Sequence, residues 1–284
     1  MPVSIAIIAP GAMGSAVAAR LARNGARVLT LLDGRSERSR ERAAQAGMKD
    51  SSPAGIAAAD FILSIVPPAQ ALSLAQALAP HIAATAHKPV YIDCNALSPT
   101  TKQQVGDVLA SAACPFIDGT IIGLPPRGDA PDPRFHLAGP DREKALPLAD
   151  AGLNIRMIDG PVGAAAALKM CYAGINKGMT ALGAAMILAA QREGAGSQLH
   201  QEMAESLPHV LTNYRRAIPD MYGKAYRWVD EMREIAAFLH EDEAAAMIFE
   251  GAARLYRRLA DDVAGQGEER DMLSAFFAQD GDGR

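Results

Sequence analysis

The chain has 284 residues, 49% hydrophobic and 21% charged, which suffices for one large domain or two ordinary ones with a packed core. Its net charge of −4, with no long basic run, leaves no electrostatic footprint for nucleic acid. Three widely spaced cysteines, Cys94, Cys114 and Cys171, form no CxxC pair, which argues against a zinc site and a disulfide framework and fits a reducing compartment.

Residues 3–9 (VSIAIIA) form a continuous apolar run that reads as a strand buried on both faces. A helix follows over 15–23, stopped by Asn24-Gly25, and then a second strand over 27–32. The alternation continues with a charged helix over 36–46 and a strand over 60–66 ended by Pro67-Pro68. A helix over 69–84, a strand over 89–94, a helix over 98–112 and strands over 115–118, 135–138 and 154–158 complete it. Strands alternating with helices predict a mostly parallel sheet covered on both sides. From Gly163 the strand pattern stops. A long Ala-rich helix over 163–192, open to a break near Gly174 or Gly178, leads to helices over 197–214, 222–240 and 243–264 and a frayed tail over 265–284.

The fold class is therefore α/β: an α/β domain over 1–161, followed by an all-helical domain over 162–284. The N-terminus lacks the positive start of a signal peptide, and the most apolar run, 178–190, is 13 residues, short of a bilayer span. A soluble cytoplasmic protein without membrane partners is expected.

The turn after the first strand reads Ala9-Pro10-Gly11-Ala12-Met13-Gly14. In the dinucleotide fingerprint G-x-G-x-x-G the second glycine admits a pyrophosphate to the backbone and the third lets helix pack on strand. Gly11 and Gly14 take those places and Ala9 replaces the first glycine. Pro10, Ala12 and Met13 complete the loop, and the helix N-terminus would hold the phosphates. At the end of the second strand, Asp33 suits the ribose hydroxyls of NAD, whereas Arg35 and Ser36, assisted by Arg38, suit the 2′-phosphate of NADP. NADP is favoured, because Arg35 and Ser36 open the loop where that phosphate would lie; NAD stays open.

At this point the chain resembles the β-hydroxyacid dehydrogenases, the family of 3-hydroxyisobutyrate and 6-phosphogluconate dehydrogenases. Five stretches carry the resemblance in order: PGAMG (10–14), GRS (34–36), IDCNALSP (92–99), FIDGTIIG (116–123) and GAAAALKMCYAG (163–174). The resemblance implies an NAD(P)-binding Rossmann domain over 1–161, an all-helical substrate and dimerisation domain over 162–284, and hydride transfer between a nicotinamide and a small hydroxy acid or its keto or semialdehyde form. It places the general acid/base at Lys169 and the substrate-binding pair at Ile122 and Gly123. Val66, Pro67 and Asn95 are expected at the cofactor, with Asn95 and Tyr172 also at the substrate. The chain departs from the family's pattern in having Ile122 for a serine, Tyr172-Ala173 for two asparagines and Asn95-Ala96 for a serine-threonine pair. The resemblance thus implies retained hydride-transfer machinery and rewritten substrate recognition.

On a helical projection Tyr172, Asn176 and Thr180 fall within about 60° of Lys169, a polar stripe suited to lining a cleft. Asn176 is taken as the second catalytic position, orienting substrate. The segment 224–242, which holds Trp228, is expected to help close the cleft. No spacing of His, Asp or Glu recommends a metal. Imine reduction on the same fold and NADP binding without turnover are the alternatives; the expected partners are a small-molecule substrate and a second copy bound through the helical domain.

Overall fold

A computed structural model describes residues 2–126 and 132–278, which divide into two compact units, Met1–Lys169 and Met170–Arg284. Among the described residues the first unit runs β1 (Ser4–Ile8), α1 (Ala12–Arg23), β2 (Arg27–Thr30), α2 (Glu37–Gln45), β3 (Lys49–Asp50), α3 (Pro53–Ala57) and β4 (Phe61–Ser64). It continues through α4 (Ala71–Ala83), β5 (Val90–Asp93), α5 (Pro99–Ser111), β6 (Phe116–Ile122), β7 (Arg134–Ala138), α6 (Pro147–Asp150) and β8 (Asn154–Met157). The strands form one sheet in the order β3-β2-β1-β4-β5-β6-β7-β8. All neighbours are parallel except β6 and β7.

Why β1 carries no polar face is visible in its packing. Ile5 and Ile7 join one core with Val17 and Leu21 of α1, while Ala6 and Ile8 join the opposite core with Ile62, Tyr91 and Val105. Successive side chains of a strand point to opposite faces, so a strand covered on both sides reads as a near-continuous apolar run. Ser52 and Ser98 cap α3 and α5 by accepting from the Gly55 and Thr101 N–H groups, each followed by a proline at the first helical position.

The second unit is helical: the greater part of α7 (Ala164–Arg192), then α8 (Gly196–Ser206), α9 (Pro208–Tyr222), α10 (Ala225–Phe238), α11 (Glu243–Ala264) and α12 (Glu268–Phe277). Ile187, Leu188, Ile218, Met232, Tyr256 and Phe276 build its core.

Several expectations need correction here. Helix α7 is unbroken, because its glycines serve close packing. A Cβ on Gly174 would stand 3.2 Å from the Phe249 ring, and one on Gly183 2.6 Å from the Tyr214 ring. At 29 residues α7 is also longer than its most apolar run, and by length and composition alone it could cross a membrane. It is instead partly buried, with Ala184, Ile187 and Leu188 in the core of the second unit. The helix expected over 197–214 is two helices, because Pro208 disfavours helical backbone at Leu207 and starts α9. The tail is not frayed throughout. The Asp262 carboxylate accepts the N–H groups of Glu269 and Arg270 and so starts α12; residues 279–284 lie outside the described residues.

Candidate functional site

The parallel strands β1, β2, β4 and β5 end on one edge of the sheet, and β1 lies where the strand order reverses. In open α/β sheets that edge is where ligands bind. The glycine loop stands there. Gly11 is the N-cap residue of α1 and no side chain caps the helix, so its first-turn N–H groups point outward as an anion site. A Cβ built on Gly11 would meet nothing within 4 Å, whereas one on Gly14 would run into the Ala9 carbonyl oxygen. Gly14 is thus needed by the fold itself, and Gly11 leaves open space above the loop. That open cradle, with an uncapped helix start beneath it, fits a dinucleotide pyrophosphate. Arg42 of α2 braces the loop by donating to the Pro10 carbonyl at 3.1 Å.

The turn after β2 carries the specificity candidates. Gly34 has φ +65°, a left-handed turn position, and the Arg35 N–H closes the turn onto the Leu32 carbonyl. Asp33, Ser36 and Arg38 are exposed and Arg35 half-buried. The Ser36 hydroxyl pairs with that of Ser39 at 3.1 Å.

Behind the β4 and β5 turns lies a buried polar chain. Val66 N–H donates to Asn95 Oδ1 at 2.7 Å, and Asn95 Nδ2 donates to Ser64 Oγ at 2.8 Å and Asp93 Oδ2 at 2.9 Å. Asn95 is 4% exposed and its amide is engaged within the protein, so it braces the Val66-Pro67 turn. Lys102 of α5 donates to the Asp93 carbonyl at 2.5 Å, to Asp93 Oδ1 at 2.6 Å and to the Gly119 carbonyl at 2.8 Å, and it lies 3.4 Å from Asp118 Oδ1. Asp118 Oδ2 accepts the N–H groups of Gly163, Ala165 and Ala166 at 2.9, 2.9 and 3.2 Å, and so caps the start of α7. Sequence reasoning missed this cluster. Its available signal was an aspartate at the end of β5 and another within β6, with a lysine in the first turn of the helix between those strands. Burial pushes the neighbouring Cys94 thiol up to about 12, so it stays protonated.

One turn into α7, Lys169 Nζ donates to the Ile121 carbonyl at 2.7 Å. This places the lysine beside the last residues of β6, Ile122 and then Gly123. Ile122 itself is paired with Arg134 in the sheet and its side chain is buried, so it forms wall and offers no polar group to a substrate. Gly123 has φ +131°, and a Cβ there would stand 3.0 Å from the Pro133 Cα. The polar stripe of α7 divides on inspection. Tyr172 and Asn176 are exposed, but the Asn176 amide donates to the Tyr172 carbonyl of its own helix at 2.8 Å. Thr180 is buried with its hydroxyl on the Asn176 carbonyl at 2.9 Å. Within the second unit Trp228 is largely engaged. It stacks edge-on against Tyr256, and Lys177, which pairs with Glu231, sits 5.6 Å above its ring.

Residues 4–96 match a family described as NADP oxidoreductases, coenzyme F420-dependent, and residues 190–259 match a domain family of unknown function. The chain is also similar to a conserved protein of unknown function whose structure was reported to resemble 3-hydroxyacid dehydrogenases. The identity is 26%, with 95% of this chain and 99% of that one covered and a TM-score of 0.79. The chain shares the fold reported as similar to 3-hydroxyacid dehydrogenases, and its first part matches the NADP-oxidoreductase family. Two further structures extend the likeness. A conserved hypothetical protein from Sinorhizobium meliloti is 25% identical over 97% of both chains, with a TM-score of 0.79. The 3-hydroxyisobutyrate dehydrogenase of Mycobacterium tuberculosis, solved with L-serine, is 20% identical over 93% of this chain and 96% of that one, with a TM-score of 0.74, a likeness of fold. Imine reductases share the fold at lower similarity. No curated protein matches the sequence. In this dehydrogenase-like chain the matched NADP-oxidoreductase region contains the glycine loop, the Arg35 turn and the Val66 and Asn95 positions.

Proposed function

We propose that the protein is an NADP-dependent dehydrogenase or reductase acting on a small hydroxy acid or its carbonyl form, with Lys169 as general acid/base. The observation that carries this is the anchored lysine. Its ammonium is held on the Ile121 carbonyl at the end of β6, on the first turns of the helix that Asp118 caps. NADP(H), bound across the glycine loop, supplies or accepts the hydride. The first-turn N–H groups of α1 hold the pyrophosphate, Arg35 and Ser36 the 2′-phosphate, and the Val66-Pro67 turn braced by Asn95 borders the nicotinamide half. Lys169 moves the proton to or from the substrate oxygen, a contribution of about 10²–10⁴ in rate for a positioned group of this kind. Tyr172, Gly123 and Asn176 are proposed substrate-side positions, and a homodimer through the helical unit is proposed as the working state.

The test is a panel of 3-hydroxyisobutyrate, L-serine and other 3-hydroxy acids with NADP⁺, and the corresponding carbonyl compounds with NADPH. Turnover with NADP(H) that drops about tenfold in cofactor affinity in Arg35→Ala, with NADH affinity unchanged, supports the reading. Turnover with NAD(H) alone sinks its cofactor half. Because Ile122 removes a side-chain donor for a carboxylate, cyclic imines belong in the same panel; reduction of imines in preference to carbonyls transfers the reading to C=N chemistry.

A further inference from the structure

Three charged side chains, Lys102, Asp93 and Asp118, are completely buried behind the site. A buried ion cluster is weak grounds for stability, since apolar side chains of the same volume commonly serve as well or better. What this cluster does have is reach. Lys102 is bonded to the end of β5 and to Gly119 of β6, and Asp118 of β6 is bonded to the first N–H groups of α7. Three residues along β6 from Asp118, Ile121 receives Lys169 from the next turn of the same helix. Strand and helix are therefore pinned together at two points, and the reactive ammonium is the second. On its other side Asp93 continues through Asn95 to the Val66 N–H.

We propose that Lys102, Asp93 and Asp118 are positioning residues for Lys169: they fix the rise and rotation of α7 on β6 so that the lysine amine is held at the Ile121 carbonyl. The proposal rests on the reading of Lys169 as the proton-transfer group, and it makes the cluster a supporting shell for that group.

Two variants test it. Asp118→Asn keeps the size of the side chain and one oxygen for the helix cap but removes the charge that faces Lys102. Lys102→Met/Asp93→Asn/Asp118→Asn leaves no buried charge unpaired and avoids the penalty of breaking an ion pair. Fold is checked by circular dichroism and by the NADPH dissociation constant. The readout is the rate of Lys169 acetylation by acetic anhydride, followed by peptide mass spectrometry with the exposed Lys49 as internal reference. The expected result is acetylation of Lys169 about fivefold faster in a folded variant, with NADPH affinity within about twofold in Asp118→Asn, which leaves Asp93 and its bonds to Asn95 in place. Lys169 acetylation unchanged in a folded variant overturns the proposal. So does loss of the fold in both, which makes the cluster a stability element. If Lys169→Ala leaves hydride transfer intact, the reading of Lys169 fails, while the acetylation result still decides what places it.

Discussion

At the scale of single residues, the two glycines of the loop separate fold from binding. Gly11 has ordinary backbone angles and open space around it, so Gly11→Ala leaves the melting temperature in place yet weakens NADPH binding by about tenfold or more, because in the proposed binding mode its methyl stands where the pyrophosphate approaches. Gly14→Ala forces a methyl onto the Ala9 carbonyl and costs about 1–3 kcal/mol of stability as well. Thermal melts beside fluorescence titrations check both; equal stability losses for the two variants would refute the distinction. Burial first, then Glu231 and Asp230, hold the Glu234 carboxyl above its ordinary range. Its ionised form is therefore a cost to the folded state at neutral pH, and that cost fades as pH falls through the raised value towards 4.5. Glu234→Gln is expected to raise Tm at pH 7 and to have no effect at acid pH. A variant equally or less stable at pH 7 contradicts this.

At the scale of elements, the sequence showed what depends on periodicity and hid what depends on convergence. The apolar run of β1 and the glycine stop of α1 are local signals, and they placed both elements within a few residues. Lys102 sits in a Thr-Thr-Lys-Gln-Gln stretch that reads as a solvated helix face, and only the meeting of β5, α5 and β6 buries it. Asp262 is likewise a plain charge at the end of α11 until its carboxylate starts α12. The Lys169 stripe was legible as a spacing, but the projection could not tell that Asn176 and Thr180 turn their polar groups back onto their own helix. Helix α7 also presents apolar side chains outward: Ile175, Met179, Leu182 and Met186 are 62%, 38%, 61% and 55% exposed at spacings of four, three and four residues. That seam is the surface on which the proposed homodimer depends. Light scattering behind size exclusion should find a dimer that Leu182→Glu converts to monomer with its helical content intact; a wild-type monomer, or a dimer untouched by the substitution, contradicts the proposal.

For the molecule as a whole, an α/β unit followed by helices could be read from the switch in hydrophobic period near Gly163, and the glycine loop's place between β1 and α1 from its spacing. Substrate choice could not, because Ile122 and Tyr172 mark only where a serine and an asparagine are missing. The account therefore stands or falls on Lys169 rather than on a named substrate. Its most direct test is the pH dependence of kcat for the best substrate of the panel, in the wild type and in Lys169→Ala, with NADPH affinity measured alongside. The account predicts a titrating limb in the wild type that disappears in the variant, with kcat lowered by about 10²-fold or more and NADPH affinity unchanged. An unchanged profile in Lys169→Ala would contradict it.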